Sequence, residues 1–80
     1  MPEVNPVNLI VAEIIRRLEK PRFEPFTIVM SDGKRIDVPT ADHCTVTRLL
    51  HRISVEHDDL RIFDINPLHV TRFEAIKPAA

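Results

Sequence analysis

Apolar residues in the first quarter of the chain recur with the period of an α-helix. One helical stripe collects six of them: Val7, Ile10, Val11, Ile14, Ile15 and Leu18. Asn5 suits the N-cap, and Pro6 suits the first helical position, where the N–H that proline lacks would have no helical partner. Pro21 disfavours helical backbone at the residue before it. This pattern predicts an amphipathic helix over about 6–20.

From Phe26 onward the hydrophobic period shortens to two, which is typical of β-strands. Five strands are predicted, over 26–30, 35–38, 46–56, 60–65 and 70–76. Asp32-Gly33 favours a tight hairpin turn between the first two, because glycine readily adopts the positive φ that such a turn needs. Leu49-Leu50 interrupts the alternation of the third strand and predicts a bend there. Residues 40–44 are predicted as a loop, and Asn66-Pro67 as a short corner.

The order of these elements predicts a fold that is mainly β with an N-terminal α-helix. Five short strands joined by tight turns suit a small antiparallel barrel, Sm-like or SH3-like, with the apolar stripe of the helix covering one open end. A length of 80 residues allows a single domain. We therefore expect one domain over 1–80, with the helix over about 6–20 and the five-stranded barrel over about 26–76.

The composition is that of an ordinary soluble protein and narrows the function only slightly. Hydrophobic residues make up 44% of the chain and charged residues 29%, with a formal net charge of -1. This near-neutral balance does not favour general binding to nucleic acid or to an anionic membrane. We expect no membrane association, because no apolar run approaches the roughly 18 residues of a membrane span and no signal peptide is evident. The single cysteine fits a reducing cytoplasm, which is the predicted location.

The histidines and the cysteine are the residues most suited to metal or nucleophilic chemistry, but their spacing is not that of a structural zinc site. A zinc site assembled in space from His43, Cys44 and His69 is one alternative. Cys44 activated by a neighbouring histidine is the best enzymatic hypothesis. The chain has no glycine-rich loop, serine motif or paired catalytic carboxylates. We therefore expect no enzymatic activity, no cofactor and no bound metal.

The densest basic patch lies at the end of the predicted helix. It comprises Arg16, Arg17, Lys20 and Arg22. Cations at this position complement the helix dipole, which is a structural explanation for the patch. The alternative is a rim that contacts phosphate groups of RNA.

Four short segments resemble the pattern of a group of small uncharacterised bacterial proteins. They are Pro25-Phe26-Thr27-Ile28, Asp32-Gly33-Lys34, Asp64-Ile65 and His69-Val70-Thr71. The group has no established function, so this resemblance implies no activity for the chain.

The order of elements also resembles the Sm-like fold of Hfq and the Lsm proteins, which form rings that bind RNA. Asp42-His43-Cys44 stands where the Hfq-like pattern carries Asp-Gln-Phe, and Leu68-His69 stands where it carries Lys-His. The resemblance implies a candidate RNA pocket at Asp42, His43 and His69. The stacking aromatic and the phosphate-binding lysine are absent from these positions, which removes two sources of uridine affinity.

The last two predicted strands carry apolar residues on both faces, which is difficult to satisfy in a barrel with one interior. A second buried surface, made by a neighbouring subunit, would cover the extra face. Sm-like rings join the fourth strand of one subunit to the fifth of the next, so the resemblance implies the same interface. We predict a homo-oligomer, a closed ring, joined through Phe63, Ile65, Val70 and Phe73. The predicted function is a non-enzymatic oligomeric interaction module; the alternative is an Sm-like ring that binds single-stranded RNA, with a regulatory role.

Overall fold

A computed structural model describes residues 6–47 and 52–76 of the chain. Within these residues the chain forms one α-helix, α1 (Pro6–Leu18), and six β-strands. The strands are β1 (Phe26–Met30), β2 (Arg35–Val38), β3 (Cys44–Thr47), β4 (Arg52–Glu56), β5 (Ile62–Ile65) and β6 (Val70–Ala75). Two short 3-10 turns, Ala41–His43 and Pro67–His69, precede β3 and β6. The fold is mainly β with an N-terminal helix, as predicted.

The strands form two antiparallel sheets of three strands each. The first has the order β2-β1-β6 and the second the order β3-β4-β5. β1 and β4 are the central strands, and β2, β6, β3 and β5 each have one open edge within the described residues. The predicted closed five-stranded barrel is not found in this part of the chain.

The predicted long third strand is in fact two strands. β3 and β4 pair antiparallel, with Thr47 opposite Arg52, so the chain reverses direction between them. The prediction failed because no glycine, proline, asparagine or aspartate marks the reversal in the sequence. Leu49-Leu50, where a bend was expected, lies outside the described residues. Cys44 begins β3, whereas the sequence pattern placed it in a loop.

α1 packs its apolar stripe against β3 and the second 3-10 turn. Val11 and Ile14 are buried, while Ile10, Ile15 and Leu18 pack against the core and remain partly exposed. The helix ends at Leu18, two residues before the predicted end. The predicted N-cap residue Asn5 and the side chain of Val7 lie outside the described part of the structure. No helix of the described residues has the length and apolar character needed to cross a membrane.

The core lies between the two sheets and the helix. Its fully buried side chains come from all three: Phe26, Ile28, Val38, Ile53, Val55 and Ile14. The outer face of β1 is also covered, because Arg35 of β2 and Arg72 of β6 both contact the carboxylate of Glu74. The buried hydroxyl of Thr27 donates a 2.6 Å hydrogen bond to Asp37 Oδ1. These contacts explain why nearly every residue of β1 is buried.

The hairpin turn predicted at Asp32-Gly33 is present, and a second hairpin shares its geometry. Gly33 has a φ of +89°, and Leu60 takes the corresponding left-handed conformation at +71°. Each donates its N–H to the residue three positions earlier, at 2.9 Å for Gly33 and 3.0 Å for Leu60. In both turns the preceding aspartate, Asp32 or Asp59, accepts a hydrogen bond from the backbone N–H two residues later. The two turns differ in the residue that carries the positive φ.

Candidate functional site

A cavity of about 660 Å³ lies between the end of the β1–β2 hairpin and β5. Its apolar lining consists of Met30, Ile36, Ile62 and Phe63. Its polar lining includes Asp32, Lys34, Asp64, Asn66 and His69. The volume falls within the range of about 300–1,000 Å³ that is usual for ligand sites. An apolar floor with a few polar groups at the rim is also typical of such sites.

The cavity follows the open edge of β5. Ile62, Phe63 and Asp64 are successive residues whose side chains alternate between faces, yet all three line the cavity. The 2.8 Å hydrogen bond from His57 N–H to the Arg61 carbonyl fixes which residues of β5 bond to β4. Since these bonds alternate along an antiparallel pair, the N–H and C=O groups of Ile62 and Asp64 point away from β4. Among the residues that the structure describes, these backbone groups of β5 have no partner, and they lie at the cavity.

Two large apolar side chains are exposed beside this edge. Leu60 is 89% exposed at the tip of the β4–β5 hairpin, and Ile62 is 66% exposed on β5. Leu60 is also the one non-glycine residue with positive φ in the described part of the chain. A leucine that is exposed and has a positive φ adds backbone strain without burying its side chain in the fold. This combination favours a role for Leu60 in contact with another molecule.

The hydrogen-bond donors at the rim of the cavity are unused within the described residues. The Lys34 ammonium, the Asn66 side-chain nitrogen and the His69 ring have no partner there. Asn66 Oδ1 accepts a 3.0 Å hydrogen bond from the N–H of Leu68, so the amide nitrogen is turned the other way. The two carboxylates of the rim each accept one hydrogen bond, Asp32 from the backbone and Asp64 from Ser54. The rim thus offers both donors and, on Asp32 and Asp64, charged acceptors with remaining capacity.

The candidate RNA pocket is divided between two places. Asp42 and His43 line a cavity of about 210 Å³ beside the β4–β5 turn, whereas His69 lines the 660 Å³ cavity. His43 is held by Thr40 Oγ1 at 2.7 Å from Nδ1 and by Asp58 Oδ1 at 2.9 Å from Nε2. These bonds fix the imidazole against neighbours of its own chain.

His69 is kept apart by its own backbone contacts. Its carbonyl accepts a 2.7 Å hydrogen bond from Ser31 N–H, which ties the second 3-10 turn to the β1–β2 hairpin. His43 belongs instead to the first 3-10 turn, which faces the β4–β5 turn. The structure therefore brings Asp42 and His43 together and places His69 elsewhere.

Cys44 is a poor nucleophile in this environment. Its side chain is 6% exposed, and burial raises the pKa of the thiol to about 11. The thiolate, which is the reactive form, is therefore scarce at neutral pH. No group of three histidine, cysteine, aspartate or glutamate side chains in residues 6–47 and 52–76 is arranged to hold a metal ion. The zinc site considered from His43, Cys44 and His69 is not assembled.

Most of the basic patch is paired with acidic neighbours, although two glutamates face its four cations. Arg16 and Arg17 both contact Glu13 Oε2, at 2.6 and 2.7 Å, and Lys20 Nζ lies 3.5 Å from a Glu24 oxygen. Hydrogen bonds from the two arginines, mainly Arg16, lower the pKa of Glu13. Three of the four predicted phosphate-contacting residues are thus already paired.

Arg17 also has a structural role at the edge of the core. Its guanidinium lies 5.3 Å from the ring centroid of Phe26 and 5.1 Å from that of Phe73. A cation over an aromatic face is stabilised by the ring quadrupole. Arg22, the fourth residue of the patch, is exposed.

The residues predicted to form an oligomer interface turn inward. Ile65 is only 4% exposed and belongs to the core, so its side chain adds no surface to an interface, and the interface itself stays a prediction. Phe63, Val70 and Phe73 are partly buried and pack against the same core. A register shift opposite Val29 and Met30 brings Val70 and Phe73 to the inner face together. This irregularity resolves the apparent two-faced pattern of β6 within one chain.

Sequence patterns did not identify the open edge of β5 or the exposed side chains beside it. The apolar residues on both faces of 60–65 indicated an uncovered face, but Leu60 was assigned to the strand, whereas it occupies a turn position where glycine is expected. A further signal for the turn was the parallel between Asp32-Gly33 and Asp59-Leu60. Comparisons of the chain with protein-family models, with curated proteins and with solved structures gave no match, so the site is interpreted from its own geometry.

Proposed function

We propose that this chain is a small non-enzymatic interaction module that binds through the open edge of β5 and the cavity beside it. The observation that carries the proposal is the pair of residues, Ile62 and Asp64, whose backbone groups point into the cavity. Unpaired N–H and C=O groups on a strand edge are a template for a further strand. The exposed side chains of Leu60 and Ile62 supply apolar surface at the same place.

The groups nearest to catalytic chemistry are occupied with structural contacts, which supports a binding role. Cys44 is a buried thiol with a raised pKa. His43 and His57 are both held within the fold, His57 by a 3.0 Å hydrogen bond to the Asp37 carbonyl. We place the module in the cytoplasm, where a single thiol stays reduced.

The test uses a variant that blocks the edge and leaves the fold in place. Asp64→Pro removes an N–H that points away from β4, a position where an edge strand tolerates proline. Asp64→Ala is the matched control, since it removes the same carboxylate and keeps the N–H. A phage-displayed library of random decapeptides is selected against wild-type protein. The proposal predicts selected peptides that bind wild type and Asp64→Ala but not Asp64→Pro, with thermal melts confirming that both variants are folded. Equal binding to all three proteins would contradict it.

An Sm-like architecture is the finer form of the fold that we propose. β2 and β3 follow one another in the chain, interrupted by the first 3-10 turn. If they are taken as one broken strand, the two sheets give the order β6-β1-β2/β3-β4-β5. This order has five strands with β6 and β5 at its two edges, as the resemblance to Sm-like proteins implies.

Self-association into a ring through β5 and β6 is a second proposal, since both strands have open edges. The 3.1 Å hydrogen bond from Ile76 N–H to the Pro25 carbonyl fixes which residues of β6 bond to β1. Since these bonds alternate, the N–H and C=O groups of Phe73 point toward the open edge of β6. The side chain of Phe73 faces the core and that of Ile62 faces outward. A regular antiparallel pair of β5 with β6 would therefore place a core-facing side chain beside an outward-facing one. A ring would need a bulge or a parallel arrangement. Light scattering at high micromolar concentration tests it: a mass of about 9.2 kDa excludes the ring.

Binding of single-stranded RNA is the alternative function, and the geometry favours it less. All four phenylalanines are buried or half-buried, which limits the phenylalanine surface available for base stacking. Fluorescence anisotropy with short U-rich and A-rich RNA at two salt concentrations tests this alternative. Binding that weakens as salt rises would support it, because phosphate contacts release counterions. No binding at low salt would exclude it.

A further inference from the structure

The open edge of β5 is complementary to the same edge of a second copy of the chain. Ile62 and Asp64 are the two residues of β5 whose N–H and C=O groups point away from β4. If two β5 strands run antiparallel with Ile62 of each opposite Asp64 of the other, both pairs exchange N–H···O=C hydrogen bonds. Every outward-pointing backbone group of β5 then has a partner. The contact is isologous, because the same surface is used on both copies.

This register also brings like faces of the two sheets together. The side chains of Ile62 and Asp64 are exposed, whereas Phe63 between them packs against the core. Opposite residues of an antiparallel pair lie on one face, so Ile62 meets Asp64 on the outer face. Phe63 meets Phe63 of the second copy on the inner face. A regular ladder therefore joins two β5 strands, whereas a pair of β5 with β6 places a core-facing side chain beside an outward-facing one.

The two neighbouring registers are less suitable. With Ile62 opposite Ile62, Asp64 lies opposite Leu60, which has a positive φ and belongs to the turn rather than to β5. With Asp64 opposite Asp64, two carboxylates face each other directly, which is unfavourable.

The favoured register covers apolar surface that a single copy leaves exposed. Phe63 is half-buried and lies beside the two-fold axis, where its ring meets the ring of the second copy. Ile62 is 66% exposed and is the diagonal neighbour of Ile62 in the second copy. The contact therefore adds side-chain burial on both faces of the strand pair.

Charge and chain order favour a second copy over a free peptide as the occupant of this edge. The cavity lining combines the carboxylates of Asp32 and Asp64 with the Lys34 ammonium, so neither a strongly acidic nor a strongly basic partner is favoured. A second copy has a formal net charge of only -1, which opposes association little. Its β5 is already extended within a sheet, whereas a free peptide loses backbone entropy when it is ordered.

We infer that two copies of the chain pair antiparallel through β5 into a two-fold symmetric dimer, with Ile62 opposite Asp64 and Phe63 opposite Phe63. The sheets of order β3-β4-β5 then join into one continuous sheet of six strands. This inference rests on the proposed function and names the partner of the same edge.

Sedimentation equilibrium at increasing protein concentration tests the dimer. We expect the wild-type mass to rise from 9.2 kDa to twice that value and to stop there. Asp64→Pro removes the N–H that bonds to Ile62 of the second copy and should weaken the dimer at least about tenfold. Asp64→Ala keeps that N–H and removes two carboxylates that lie diagonally across the axis, so it should dimerise at least as tightly as wild type. Thermal melts confirm that both variants are folded.

Single cysteines test the register. Phe63→Cys should form an intermolecular disulfide under mild oxidation, because the Cα atoms of opposite residues in such a non-hydrogen-bonded pair lie about 4.5 Å apart. Phe73→Cys is the matched control, since it makes the same substitution at a half-buried position of the β6 edge. We expect it to stay reduced. Cys44 remains in place because it is buried. Non-reducing electrophoresis measures the cross-linked fraction, and circular dichroism confirms the fold.

The outcomes separate this inference from the proposed function. A wild-type mass that stays at 9.2 kDa, or that rises beyond a dimer, would overturn the inference. Equal dimerisation of Asp64→Pro and Asp64→Ala would also overturn it, as would equal cross-linking of the two cysteine variants. In each case, library peptides that bind wild type but not Asp64→Pro would leave the proposed function standing. If neither dimerisation nor peptide binding responded to Asp64→Pro, both would be overturned.

Discussion

At the scale of single residues, the two hairpin turns show how much free energy a side chain costs at a positive φ. Gly33 and Leu60 occupy the same position of the same turn, with φ values of +89° and +71°. A side chain other than glycine in this conformation costs roughly 1–2 kcal/mol. Leu60→Gly should therefore stabilise the protein by about 1 kcal/mol, measured by chemical denaturation.

The converse substitution provides the control. No atom lies within 4 Å of a Cβ added at Gly33, so Gly33→Val tests the conformation alone. We expect it to destabilise the fold by more than about 1 kcal/mol. If Leu60→Gly left stability unchanged, the turn at Leu60 would be relaxed, and backbone strain would no longer indicate a binding role.

Glu74 makes stability depend on acid pH. Hydrogen bonds from Arg35 and then Arg72 lower its pKa from 4.5 to about 2. A depressed pKa in the folded state means that the contribution of Glu74 is fully present above pH 4.5 and is lost as the pH falls toward 2. Glu74→Gln should therefore flatten the dependence of the unfolding free energy on pH between about 4.5 and 2. A slope identical to that of wild type in this window would show that Glu74 is unpaired in solution.

At the scale of elements, α1 is held by its buried stripe. Ile14 is fully buried, and its replacement by alanine should lower the free energy of unfolding by about 2–5 kcal/mol. Leu9 lies on the same helix but is 57% exposed, so Leu9→Ala should change stability by less than about 0.5 kcal/mol. Denaturant titrations of both variants measure the difference. Equal losses would mean that the helix packs through a different face.

The elements were predictable where a periodic pattern or a turn residue marks them. The apolar stripe of α1 and the Asp32-Gly33 turn gave the helix and the first hairpin. The reversal between β3 and β4 was not predictable, because the change of alternating phase at Leu49-Leu50 has no turn residue beside it and so indicated only a bend. Leu60 shows the same limit, since a leucine gives no local signal of positive φ.

At the scale of the whole molecule, local patterns could show neither where the cavity beside β5 lies nor that the residues of the candidate RNA pocket are separated. Asp42, His43 and His69 appeared equivalent to a known pocket, but the two 3-10 turns that carry them face different cavities. The open edge of β5 depends on which strands pair, and this is decided by contacts between residues distant in the chain. Burial of Ile65 and the register shift at Val29 depend on the same long-range packing.

The two sheets are joined at one end by His57. Its ring Nε2 lies 3.0 Å from the Asp37 carbonyl of β2, and its ring centroid is 5.0 Å from that of Phe63 on β5. The first contact is a hydrogen bond worth about 1 kcal/mol, and the second is an edge-to-face aromatic contact of about 0.5–1.5 kcal/mol. His57→Ala should therefore destabilise the protein by about 1–2 kcal/mol. His69→Ala is the control, because His69 is exposed and its hydrogen bonds in the described residues come from its backbone. Chemical denaturation followed by circular dichroism measures both variants, and equal stabilities would mean that the His57 contact does not hold the sheets together.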